Sequence, residues 1–134
     1  MKILVIDGMG GGIGKAIVEH IRSEYSNIEI TAVGTNTIAT SAMLKAGATN
    51  AATGENALIY NCDKAECIIG VIGIAIANSM HGEISPKMAE AVSSSSAHII
   101  LVPNNKCGVT ILGLAEKPIQ AYVNEINRTL KNLF

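Results

Sequence analysis

Ile3-Leu4-Val5-Ile6-Asp7-Gly8-Met9-Gly10-Gly11-Gly12-Ile13-Gly14-Lys15 decides how this chain folds. Four consecutive aliphatic residues mark a strand buried on both faces, as in a parallel sheet with helices on either side. A glycine-rich turn follows at once. Beyond it, Ile13, Ile17, Val18 and Ile21 recur at the spacing of an amphipathic helix. A buried strand, a tight turn and a helix form the first half of a parallel crossover. The amides that open such a helix point outward, and the helix dipole favours an anion there. Glycines in the turn let the backbone approach a ligand with no β-carbon between.

The same alternation continues outward. Residues 28–33 read as a second strand and Gly34-Thr35-Asn36-Thr37 as a turn. A short helix through Met43, Leu44 and Ala46, capped by Thr40 or Ser41, ends at Gly47. Residues 48–52 read as a third strand and 55–64 as a helix capped by Thr53; the alternative reading makes 57–61 the strand. Residues 67–72 read as a fourth strand, followed by an apolar loop over 73–80. Ser85-Pro86 opens a helix, serine as cap and proline in the first turn. Residues 98–102 read as a fifth strand stopped by Pro103, and 109–112 as a sixth, paired with it as an antiparallel edge hairpin. Pro118 starts a last helix with Ile119, Tyr122, Val123, Ile126 and Leu130 on its apolar side. The expectation is an α/β fold: a doubly wound, mostly parallel sheet in three layers, with residues 1–134 as a single domain.

Composition narrows the function classes. A 49 % hydrophobic share in 134 residues excludes disorder and supports a real core. The net charge is −1, the basic residues are scattered, and only Tyr25, Tyr60, Tyr122 and Phe134 are aromatic, so no nucleic-acid surface is expected. No apolar run reaches the roughly 20 residues of a membrane span. The first apolar run is too short for a secretory signal core, which predicts a cytoplasmic protein. Cys62, Cys67 and Cys107 form no Cys-x-x-Cys pair, so no metal site is expected and reduced thiols fit.

Three glycine templates compete for the loop. G-x-G-x-x-G from Gly8 fails at Ile13, and the phosphate loop of nucleoside triphosphatases fails at Met9 and Ala16. G-x-x-x-G-x-G fits at Gly8, Gly12 and Gly14. That spacing resembles the short-chain dehydrogenase/reductase loop, where it cradles the pyrophosphate side of NAD(P). The expected nucleotide contacts are Gly8, Met9, Gly10, Gly11, Gly12, Ile13, Gly14 and Lys15, joined by Thr35, Asn36 and Asn78. The competing reading is a glycine turn that only lets the helix pack closely. The end of the second strand departs from the dinucleotide pattern: Gly34-Thr35-Asn36 offers neither an acid for a ribose nor an arginine for a 2′-phosphate. Asp7 would repel a pyrophosphate unless it bonds loop amides or holds a bridging Mg²⁺, and we favour the amides.

Other chemistry-bearing residues fall on neighbouring loops. Tyr60 and Lys64 spell the Y-x-x-x-K pair of that superfamily, but they follow the third strand instead of the fifth, so we read a coincidence. Ser79, His81 and Glu83, after the fourth strand, are the proton-transfer candidates; loop packing is the alternative. After the fifth strand, Asn104 and Asn105 offer ligand contacts or a turn, Lys106 a phosphate partner, and Cys107 a nucleophile.

Several segments together carry a wider resemblance: the opening Ile6-Asp7-Gly8-x-Gly10-Gly11-Gly12-Ile13-Gly14-Lys15, then Gly34-Thr35-Asn36, Thr53-Gly54-Glu55-Asn56, Asn78-Ser79-Met80 and Gly82-Glu83-Ile84-Ser85-Pro86. With them the chain resembles a family of short, uncharacterised bacterial proteins grouped with Rossmann-like NAD(P)-binding folds. The resemblance implies a Rossmann-like domain and a nucleotide site, and no activity. The leading expectation is a small nucleotide-binding protein using NAD or NADP, in its fullest form a minimal oxidoreductase. The alternatives are a nucleotide sensor acting through a partner, and an enzyme holding a phosphorylated metabolite in the loop. The apolar stretches 73–77 and 109–112 predict a homodimer or larger homo-oligomer.

Overall fold

The computed structural model describes residues 1–104 and 108–134. Strands β1 (Lys2–Asp7), β2 (Glu29–Gly34), β3 (Asn50–Thr53), β4 (Cys67–Val71) and β5 (His98–Val102) form one sheet. Their order is β3-β2-β1-β4-β5, and every neighbouring pair is parallel. Helices α1 (Gly12–Glu24), α2 (Thr37–Lys45), α5 (Ile119–Val123) and α6 (Ile126–Leu133) contribute to the core on one face of the sheet. Helices α3 (Glu55–Cys62) and α4 (Pro86–Ser94) cover the other.

The aliphatic run of β1 explains both layers. Side chains alternate across a strand. Ile3 and Val5 therefore join Ile17, Val18 and Ile21 of α1, while Leu4 and Ile6 join Leu58 of α3 and Val92 of α4. All four are fully buried, as a central parallel strand requires. From β1 the chain winds through β2 to β3 on one side. It then returns to place β4 against the other edge of β1, and β5 beyond it. That reversal opens a crevice outside the carboxyl ends of β1 and β4, the place where open α/β sheets take ligands.

Local expectations hold in part. Ser85 caps α4, its Oγ accepting from the Met88 amide at 3.2 Å, with Pro86 in the first turn. Helix α2 starts one turn earlier than the Thr40 or Ser41 cap placed it. Asn36 is the cap, its Oδ1 accepting from the Ala39 amide at 2.9 Å. Thr53 caps nothing: it completes β3 opposite Gly34, and Gly54, at φ 103°, turns the chain into α3. The final helix is two, separated at Asn124 and Glu125.

The sixth strand is corrected outright. Residues 109–112 join no sheet, and the five strands are all parallel with no antiparallel hairpin among the described residues. Gly108 and Gly113, at φ 72° and 83°, bend the chain on either side, and Thr110, Ile111 and Leu112 lie exposed. The β-branched letters were favourable, but a strand forms only where a partner edge meets it. No helix is long and apolar enough to cross a membrane, among the described residues.

Candidate functional site

A cavity of about 690 Å³ lies at the reversal point between β1 and β4. One wall is the β1–α1 turn, Gly8 to Ile13; the other comes from the connection that follows β4, including Gly73, Asn78, Ser79, Met80 and His81. Asn104, after β5, closes one side.

Asp7 organises the glycine turn. Its buried carboxylate accepts from the Gly8 amide at 2.8 Å and the Gly14 amide at 2.6 Å. Burial pushes its pKa above the usual carboxylate range; those two amides pull the other way, and the Glu83 charge adds to the rise. Asp7 thus bonds loop amides with both oxygens. The Gly11 amide is held by the Gly8 carbonyl at 3.0 Å, and the Met9 amide by Glu83 Oε1 at 2.9 Å. The amides of Gly10, Gly12 and Ile13 meet no acceptor among the described residues, and all three residues line the cavity.

The five glycines divide in the same way. A β-carbon on Gly8 would sit 2.6 Å from Thr35 Oγ1; on Gly14, 2.7 Å from Asp7 Cβ; on Gly11, 2.7 Å from Ala39 Cα. Gly11 also has φ 76°, a left-handed conformation that favours glycine. These three serve the fold. At Gly10 and Gly12 a β-carbon would meet nothing within 4 Å, and neither has a positive φ. Close packing gives no reason for glycine at those two positions, whereas a ligand lying against the backbone would.

Unusual backbone occurs on both walls, most of it opposite the glycine turn. Met9, Asn78, Met80 and His81 are the described non-glycine residues with positive φ, between 51° and 65°, and all four line this cavity. Such conformations cost of order 1–3 kcal/mol each and cluster at functional sites. The connection is tied down from within. The Asn78 amide donates to the Ile84 carbonyl at 2.7 Å, and the buried Ser79 hydroxyl donates to the Gly73 carbonyl.

Glu83 lies beside the cavity. Its Oε1 accepts from the Thr35 hydroxyl, from the Met9 amide at 2.9 Å and from Asn36 Nδ2 at 3.0 Å. The Thr35 bond leads the causes that hold its pKa below the ordinary carboxylate value; the Met9 and Asn36 bonds and nearby His81 add to it, against some desolvation. Asn36 also donates to the Met9 carbonyl at 2.9 Å. Thr35 and Asn36 are therefore brought beside the glycine turn, but their polar groups hold Glu83. Sequence reasoning did not foresee this three-way clasp. The only cue was an acid on a loop that parallel topology carries to the same end of the sheet.

The remaining predicted residues are placed as follows. Lys15 is exposed on α1, 3.9 Å from Glu19, and does not line the cavity. Ser79, His81 and Glu83 are neighbours, yet no hydrogen bond joins them to one another among the described residues. Tyr60 and Lys64 stack on each other, 5.2 Å from ammonium to ring centroid, beside Lys2 and Glu29, the first residues of β1 and β2, at the far end of the sheet. Asn105, Lys106 and Cys107 fall outside the described residues. No group of three or more His, Cys, Asp or Glu is arranged for a metal ion among the described residues.

A family model described as Domain of unknown function (DUF3842) matches residues 2–134. Among solved structures, saccharopine dehydrogenase (L-Glu forming) from Saccharomyces cerevisiae superposes with a TM-score of 0.50 at 12 % identity, over 90 % of this chain and 23 % of that one. The chain thus spans under a quarter of that dehydrogenase, and the likeness is one of Rossmann-like fold. A dodecameric FMN-dependent Ubix-like decarboxylase from Escherichia coli O157:H7 superposes with a TM-score of 0.47 at 16 % identity, over 98 % of this chain and 76 % of that one. No curated protein matches.

Proposed function

We propose the following function for a chain that belongs to the DUF3842 family: it binds a nucleotide, NAD or NADP in first place, with a phosphate seated on the amides of Gly10, Gly12 and Ile13. The observation that carries this is the pair Gly10 and Gly12, glycine where neither packing nor backbone conformation demands it. Ile13 follows Gly12, the first residue of a 13-residue helix, so the dipole adds to the amides. A cavity of about 690 Å³ exceeds what a lone phosphate needs and lies within the range of small-molecule sites. The residues present fit a dinucleotide's phosphate side. Bound there, the nicotinamide would supply hydride chemistry.

Binding without an assigned reaction is the reading we adopt. The Ser79 hydroxyl is committed to Gly73, and one Glu83 oxygen to three donors. Of the three candidates, only the His81 ring takes no hydrogen bond among the described residues, and its residue is exposed at the cavity. A cytoplasmic setting suits the buried free thiols of Cys62 and Cys67, pushed by burial to about 11 and about 12. Self-association is part of the proposal, supported by Leu112 at 91 % exposure beside exposed Ile111 and Leu114. A sedimentation mass that stays monomeric as concentration rises would remove that part.

The test is ligand-induced thermal stabilisation by NAD⁺, NADP⁺ and AMP, in the parent protein and in Gly12→Val. We expect a concentration-dependent rise in Tm for the parent. Gly12→Val should start from an unchanged Tm and show no rise. A full shift in the variant would take the phosphate away from this loop.

A further inference from the structure

Dinucleotide sites of this fold grip the ribose with an acid at the end of the second strand. Here that position reads Gly34-Thr35-Asn36, with no acid. The tertiary structure nevertheless delivers one: Glu83, from the β4–α4 connection, is clasped by Thr35 and Asn36. We propose that Glu83 serves as the ribose-binding carboxylate this strand end lacks, so that the site selects a nucleotide with free 2′- and 3′-hydroxyls over one carrying a 2′-phosphate. The proposal rests on the nucleotide reading above.

Three features support it. Glu83 Oε1 lies 3.0 Å from where a Gly8 β-carbon would stand and bonds the Met9 amide, so the carboxylate flanks the turn on its β2 side. Its three bonds all converge on Oε1; Oε2 takes none among the described residues, leaving an ionised oxygen for a diol. Among the described residues, the two arginines that could take a 2′-phosphate are elsewhere. Arg22 bonds the carbonyls of Gly47 at 2.8 Å and Ile28 at 2.7 Å, beside the start of β2, and Arg128 lies on α6. A phosphate dianion beside an ionised Glu83 meets like charge with no compensating guanidinium.

Calorimetric titration of NAD⁺ and NADP⁺ tests this in the parent and in Glu83→Gln. The glutamine keeps its oxygen as an acceptor for Met9, Thr35 and Asn36, removes the charge, and puts a neutral amide donor where Oε2 stood. The parent is expected to bind NAD⁺ at least about tenfold tighter than NADP⁺, and the variant to bring the two within about threefold, by weakening NAD⁺ as well as gaining NADP⁺. Equal affinities or an NADP⁺ preference in the parent overturn the proposal without any variant. So does a parent-like preference in a folded Glu83→Gln. If the parent binds neither, the nucleotide reading itself falls; if it binds NAD⁺ with no selectivity, only the role of Glu83 does.

Discussion

The β1–α1 turn and the β4–α4 connection face each other across one cavity and are built from opposite materials. The first is mostly glycine and presents backbone amides. Its one strongly left-handed glycine, Gly11, takes φ 76° with no β-carbon to oppose it. The second holds Asn78, Met80 and His81 in left-handed backbone and keeps their side chains. On the nucleotide reading proposed above, the first wall dispenses with side chains so that a ligand can touch the chain. The second wall keeps its side chains and carries strained backbone, held by the Ser79–Gly73 and Asn78–Ile84 bonds.

Substitution within the glycine turn gives the largest effect. Gly11→Val places a β-branched residue in left-handed backbone against Ala39, with an expected stability loss of about 2–5 kcal/mol by urea denaturation. Gly12→Val should stay within about 0.5 kcal/mol of the parent, because nothing lies within 4 Å of its β-carbon. Equal losses would erase the division between glycines that packing requires and glycines that it does not. On the opposite wall, Ser79→Ala removes the hydroxyl from the Gly73 carbonyl, which keeps the Ile76 amide at 3.1 Å, with an expected cost of about 0.5–1.5 kcal/mol. Amide hydrogen exchange should then quicken at Ile84, whose amide donates to the Ser79 carbonyl at 3.2 Å.

The two carboxylates at the turn predict opposite pH responses. Glu83 is held below its ordinary 4.5, so its contribution is present above 4.5 and is lost as pH falls through the folded value. Glu83→Gln should therefore lose less stability than the parent on acidification below 4.5. Asp7 is raised above its ordinary 3.8, so what it contributes is full below 3.8 and declines as pH rises through the folded value. The parent should lose ground to Asp7→Asn over that rise, measured by denaturation at stepped pH. The smallest effect is at His81, exposed at φ 57°: His81→Gly should gain about 0.5–1 kcal/mol by relieving strain, less the entropy glycine adds to the unfolded chain. A loss there would mean the ring makes a contact that the strain supports.

Local patterns carried most of the fold. The run Ile3 to Ile6 announced a strand buried on both faces, and Ser85-Pro86 located the start of α4. Helix α2 starts one turn before the position its sequence suggests because Asn36, Thr40 and Ser41 are all competent caps, and only the docked helix selects Asn36. Residues 109–112 misled because strand propensity expresses packing against a neighbour, and none is there. At the site, the glycine turn was legible from its place between strand and helix. Which glycines serve the fold was not, since that depends on Thr35, Ala39 and Asp7 arriving beside them.

The sequence by itself determined the layered α/β architecture and the end of the sheet where the loops gather, because strand and helix periods and helix-start amides are properties of neighbouring residues. Only the tertiary structure decided that Asp7 takes the Gly8 and Gly14 amides while leaving others open, and that Glu83 stands beside Thr35, 48 positions earlier in the chain. Hydrogen bonding and charge act over a few ångströms of space, and which residues come that close is settled by the winding of the sheet.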